Sequence, residues 1–146
     1  MQLSYLRLSQ EFQFIRPSPV HTRKTIVNMS SIVQYIIVRG DLRSTLNWPL
    51  GAVIAQCCHA TAAVMHLCAA DLETQEYLKD LDNMHKVVLE SEDEASLQKL
   101  SDKLKENEIQ HKLWIEQPEN ILTCIAIKPY QKEAVHKFVK HLKLLK

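Results

Sequence analysis

The stretch Gly51-Ala-Val-Ile-Ala-Gln-Cys-Cys-His-Ala60, coming after the strand-like run from Ile32 to Arg39, decides the fold. Ile32 to Val38 is apolar and β-branched enough for a buried strand. Pro49 then offers a fixed φ and no N–H, which suits a helix start, and the run to Ala69 reads as a helix of several turns. On a helical wheel Val53, Cys57, Ala60, Val64 and Leu67 make an apolar stripe, with Ala52, Gln56, His59 and Ala63 along one flank. An amide and an imidazole in so small and apolar a run are either structurally satisfied or chemically employed.

Working outward, strands and helices alternate. Leu78 and Leu81 suggest a short accessory helix within 72–83, and His85 to Glu90 reads as a second strand. Ser91-Glu92-Asp93-Glu94 has the form of a capping box, and Leu97, Leu100 and Leu104 continue a helical face to Asn107. Ile109 to Glu116 and Leu122 to Lys128 are the third and fourth strands. The short link between them makes them antiparallel neighbours, and after Pro129 a last helix turns Val135, Phe138 and Leu142 inward. Strands joined by crossover helices run parallel, so the expected class is α/β: three layers, with a mixed four-stranded sheet and helices on both faces.

At 146 residues, 46% hydrophobic and 24% charged, the chain suits one domain able to bury a core. Cys57, Cys58, Cys68 and Cys124 follow no CxxC spacing and read as reduced intracellular thiols. Residues 44–70 carry no formal charge, and about 20 apolar residues can span a bilayer. Gln56, His59, Thr61 and His66 argue instead for a helix lying against a sheet, and no membrane association is expected. Residues 1–28 hold one acidic side chain, Glu11, against Arg7, Arg16, Arg23 and Lys24. They read as a flexible extension ahead of a domain over 29–146, and the cytoplasm is the expected location ahead of the mitochondrion.

The net charge of +1 hides an uneven distribution. Residues 71–116 hold 13 acidic and 6 basic side chains, whereas 128–146 hold six lysines against Glu133. Lys137, Lys140, Lys143 and Lys146 would form a drifting stripe on the last helix, either meeting a phosphate backbone or solvating a helix end.

In open sheets of this kind ligands bind beyond the carboxyl ends of the parallel strands. That rule gathers Arg39, Asp41, Ala52, Gln56, Glu116, Glu119, Asn120 and Thr123. A thiol nucleophile beside His59 fits poorly, because adjacent helical residues point about 100° apart. A metal site lacks ligands at converging spacing.

Val38-Arg39-Gly40-Asp41-Leu42, Ala55-Gln56-Cys57-Cys58-His59-Ala60, Lys86-Val87-Val88-Leu89 and His141-Leu142-Lys143-Leu144 together resemble the type 2 peptidyl-tRNA hydrolases of archaea and eukaryotes, over residues 32–146. Trp114-Ile115-Glu116-Gln117-Pro118-Glu119-Asn120 is similar to a divergent animal branch of that family. The resemblance implies hydrolysis of the ester between a peptide, or an N-blocked amino acid, and the 3′ ribose of tRNA, without metal or cofactor. Gln56 matches the family's helix glutamine. Ala52 stands where a lysine belongs, and Glu116 where an aspartate belongs. The loop that follows is shortened, so that Asn120 falls near the place of its threonine, while Thr123 matches a threonine on the last strand.

The implied chemistry has Glu116 orienting or deprotonating a water, Gln56 and Thr123 positioning it or holding the carbonyl, and His59 replacing the absent lysine electrostatically. Each has a plain rival: a surface carboxylate at a strand end, a backbone cap, ordinary β-propensity, and a core histidine bonded to a carbonyl. Arg39, Asp41, Trp48, Lys128, Lys137, Lys140 and Lys143 are the substrate-binding candidates, Trp48 by stacking on a terminal base or by packing the helix start. The expected partners are tRNA and a second copy of the chain. The alternative is a descendant that has lost catalysis and binds tRNA or a protein through the same cleft.

Overall fold

The computed structural model describes residues 32–146, and the expected extension over 1–28 lies outside the described residues. In chain order the elements are β1 (Ile32–Arg39), α1 (Asp41–Ser44), α2 (Leu50–Leu67), α3 (Leu72–Tyr77), a 3-10 turn (Leu81–Asn83), β2 (Lys86–Ser91), α4 (Glu94–Glu106), β3 (His111–Glu116), β4 (Ile121–Ile127), β5 (Tyr130–Gln131), α5 (Lys132–Val139) and β6 (Lys143–Leu144). Every residue of β1 is buried, as befits a strand covered on both faces. Val33, Tyr35 and Ile37 pack with Leu97, Leu104, Val135 and Phe138 of α4 and α5. The alternate residues Ile36 and Val38 pack with Val53, Ala60 and Val64 of α2. The fold is thus three-layered α/β, each buried Val, Leu or Ile contributing about 1.5–3 kcal/mol.

The sheet runs β3-β4-β1-β2-β6, with β5 paired to β1 off that path. β1 and β2 are parallel, while β4 is antiparallel to both β1 and β3. The carboxyl ends of β1, β2 and β3 therefore share one edge of the sheet with the start of β4. The six strands include two more than the alternation suggests. β5 and β6 have two residues each, too few for a periodic signal.

Several local expectations change. Asp93, rather than Ser91, caps α4, its carboxylate accepting from the Ser96 N–H at 2.8 Å, because Ser91 still belongs to β2. α5 stops at Val139, and the chain then turns back so that Lys143 and Leu144 pair with Glu90 and Leu89 on the free edge of β2. Leu142 and Lys143 are consequently not helical, and the lysine stripe is split between a helix, a turn and a strand.

Pro49 sits at the N-cap of α2, its missing N–H falling where no intrahelical partner exists. The buried stripe of α2 is Val53, Gln56, Ala60 and Val64, so it takes in the polar Gln56 and leaves Leu67 68% exposed. By length and composition alone α2 could cross a membrane. Its buried stripe lies instead against the sheet.

Candidate active site on the helical face of the sheet

A register shift in the β3–β4 ladder builds the site. Trp114 pairs with Cys124 but the next residue, Ile115, pairs with Leu122, so Thr123 is skipped. One extra residue in a strand breaks the alternation of side chains. Leu122 packs in the cluster under α4 and α5, and Cys124 in the cluster under α2. Between them the Thr123 hydroxyl also turns to α2, donating to Gln56 Oε1 at 2.9 Å. Gln56 in turn donates from Nε2 to the Ala52 carbonyl at 3.2 Å. With Gln56 2% and Thr123 0% exposed, the pair is closed to solvent and satisfied by itself.

The same face carries β3. Trp114 and Glu116, two residues apart and so on one side of the strand, are joined by a 2.9 Å hydrogen bond from the indole N–H to Glu116 Oε2. His59, one turn beyond Gln56 on α2, lies over Trp114 with ring centroids 4.8 Å apart and planes at 19°. Lys112 adds an ammonium 6.0 Å from the Trp114 ring centroid. Gln56, His59, Thr123 and Glu116 are therefore gathered on the α2 side of the sheet. Asn120 is exposed in the turn after Glu116, in the left-handed region that suits asparagine (φ 56°), its side-chain oxygen accepting from Gln117 Nε2 at 3.3 Å. Trp114 and Lys112 were not among the candidates. The alternation 112, 114, 116 along the strand was the signal for them.

Next to Gln56 and Thr123 stand Cys57 and Cys124, the Cys124 thiol donating to the Ile125 carbonyl at 3.7 Å. The neighbouring Cys124 thiol holds Cys57 below its ordinary range against the opposing effect of burial, and Cys57 together with burial holds Cys124 well above.

The other candidates lie elsewhere. Arg39 ends β1 on the α4 side, where its guanidinium meets Asp41 at 2.9 and 2.7 Å, Glu94 at 2.6 Å and the Leu122 carbonyl at 2.9 Å. At 5% exposure, and held above its ordinary range first by the hydrogen bond to Asp41, it is a structural tie between β1, β4 and α4. Arg39 and Trp48 line a cleft of about 610 Å³ at the carboxyl edge of the sheet, together with Arg43, Leu50 and Val53. Neither Gln56 nor Glu116 lines it. Asp41 and Lys143 line a second cleft, of about 860 Å³, with Lys99, Lys103 and His141.

Gly40 lies between the two clefts, where a β-carbon would come within 2.7 Å of the Glu90 side chain. Lys128 follows the antiparallel β4 and so lies at the opposite edge. It is 3% exposed, pairs with Asp71 at 2.9 Å and Glu73 at 2.8 Å, and stands 3.5 Å from the Tyr130 ring centroid. Its position and partners separate it from the site. Lys137 and Lys140 are exposed, Lys137 over the Phe138 ring.

Comparison with known proteins gives the family to which this three-layer fold belongs. The sequence profile of the family described as Peptidyl-tRNA hydrolase PTH2 matches residues 32–145, and the chain belongs to that family. Among curated relatives it is 44% identical over 136 residues to the mouse (Mus musculus) "Putative peptidyl-tRNA hydrolase PTRHD1", covering 90% of this chain and 97% of that protein. The human protein of the same name is 47% identical over 116 residues, covering 79% and 83% respectively. "Probable peptidyl-tRNA hydrolase 2" of Dictyostelium discoideum is 31% identical over 118 residues, covering 76% of this chain and 53% of that protein.

Proposed function

We propose that the chain is an esterase that releases a peptide or N-blocked amino acid from the 3′ ribose of tRNA. The observation that carries the proposal is the convergence on one sheet face of the Gln56–Thr123 pair and the Trp114-bound Glu116. Ester hydrolysis needs a directed water, a proton acceptor and donors for the developing oxyanion. Glu116 is half-buried, and in this reading it is the carboxylate that meets both water and substrate. One oxygen is fixed by the indole, and the other is left to orient a water and take its proton. Asn120, exposed beside it, offers an amide N–H to the carbonyl oxygen.

Gln56 and Thr123 act from behind, because they are sealed: their bond fixes the strand bulge and the helix that frame the carboxylate. His59 flanks the carboxylate from the turn of α2 beyond Gln56, about two turns from Ala52, through its stack on Trp114. The cleft holding Trp48 and Arg43 reaches α2 at Val53, one turn before Gln56, and suits the unpaired 3′ end of the tRNA. The lysines of α5 and β6 supply contacts to phosphates.

The test is single-turnover hydrolysis of N-acetylated aminoacyl-tRNA by the purified chain. Release of the N-acetyl amino acid above the buffer rate supports the proposal. Binding of tRNA with no release would assign the fold to a binding module instead.

A further inference from the structure

Trp114 itself touches no reacting atom in that reading, yet three of its contacts converge on the site. An indole N–H can only donate, and the half-buried Trp114 ring leaves its N–H a single protein partner among the described residues. Here the partner is Glu116 Oε2 at 2.9 Å. The ring is fixed independently: His59 stacks on it at 4.8 Å, it packs in the cluster beneath α2, and the Lys112 ammonium lies 6.0 Å from its centroid. A donor on a ring held in this way is directional. A glutamate side chain free to rotate must be ordered before it can act as a base, and ordering a long side chain costs up to about 2 kcal/mol. A fixed N–H at one carboxylate oxygen removes most of that ordering from the reaction and leaves the second oxygen to face the water.

We infer that Trp114 is a positioning residue for the hydrolysis, its indole N–H holding the Glu116 carboxylate in the orientation that meets water while its ring face holds His59 beside it. The inference rests on the hydrolytic function proposed above.

The experiment measures steady-state hydrolysis of N-acetylated aminoacyl-tRNA by the full chain, by Trp114→Phe, by Glu116→Gln and by the double variant. Phe keeps an aromatic face for His59 and lacks the N–H. Trp114→Phe is expected to lower kcat about tenfold, the worth of one charge-assisted hydrogen bond, with KM within about twofold. In the Glu116→Gln background the same change is expected to add little, since the two residues act as a unit.

Should Trp114→Phe not fold, benzothienylalanine at position 114 has the indole's shape without its N–H and makes the same comparison. The indole N–H proton resonance of Trp114 is expected to move on Glu116→Gln, which a purely packing role would not require. A Trp114 variant with wild-type kcat, or one whose loss is equally large beside Glu116→Gln, overturns the inference while leaving the hydrolytic function standing. A wild-type chain without turnover removes that function, and this role of Trp114 with it.

Discussion

The Thr123 hydroxyl reaches Gln56 Oε1 across 67 residues of sequence and 2.9 Å of space, and both side chains are buried in an otherwise apolar layer between α2 and β4. A hydrogen bond in such a place is felt mainly when one partner is removed, because the other is then left buried and unsatisfied. Thr123→Val keeps the volume and is expected to destabilise the domain by about 1–3 kcal/mol in urea unfolding. Combining it with Gln56→Leu should cost less than the sum of the two single changes. A Thr123→Val variant within about 0.5 kcal/mol of wild type would show that the bond contributes nothing.

The proposed hydrolysis gives the proton transfer to Glu116. Glu116→Gln preserves size and an acceptor for the Trp114 N–H but cannot take a proton. General-base catalysis is worth about 10²–10⁴-fold, so kcat should fall by at least a hundredfold while tRNA affinity stays unchanged. A variant within a few-fold of wild type would place the base elsewhere.

Lys137, Lys140 and Lys143 are exposed on α5, on the turn after it and on β6. Replacing all three by Glu should weaken tRNA binding. It should also flatten the dependence of log K on log salt by about 0.9 for each lost phosphate contact. Unchanged affinity in a salt titration would show that these lysines serve only to solvate the surface.

Lys128 and Asp71 make stability, rather than rate, depend on pH. Burial lowers the Lys128 pKa, but hydrogen bonds to Glu73 and Asp71 outweigh it and hold it above the ordinary lysine range. That contribution is therefore complete below the unfolded lysine value and is lost as pH rises through the folded one. For Asp71 burial acts to raise the pKa, and the Lys128 bond and the N–H groups of Thr74 and Glu73 outweigh it to leave it lowered. Its contribution is present above the unfolded carboxylate value and is lost as pH falls through the folded one.

Lys128→Met should accordingly cost about 1–2 kcal/mol at neutral pH, discounted because both carboxylates stay partly solvated, and should flatten both limbs of the stability profile. Hydrolysis and tRNA binding should be unaffected, since Lys128 lies at the far edge of the sheet. Chemical denaturation between pH 3 and pH 11 reads the first effect and a rate assay the second.

The fold was legible wherever a hydrophobic period was long enough to show. Ile32 to Arg39, the alanine-rich helix and the leucines at 97, 100 and 104 each declared their element. β5 and β6 did not, because two residues carry no period and the pairing of Lys143 and Leu144 is dictated by the open edge of β2.

The site was legible in part, for a similar reason. Gln56, Glu116 and Thr123 stood out as residues, but the slip that turns Thr123 toward α2 follows from pairing across β3 and β4 and has no local signature. Arg39 and Lys128 look in sequence like cations ready for phosphate. Only their tertiary partners, Asp41 and Glu94 for one and Asp71 and Glu73 for the other, show that their charge is already balanced.

Single-turnover release of N-acetyl amino acid from tRNA, compared among the wild-type chain, Glu116→Gln and Gln56→Ala at matched tRNA occupancy, tests the central claim most directly. The geometry predicts release by wild type well above buffer, near-complete loss in Glu116→Gln and a partial loss in Gln56→Ala. Release at the buffer rate by all three proteins, with tRNA bound throughout, would contradict it.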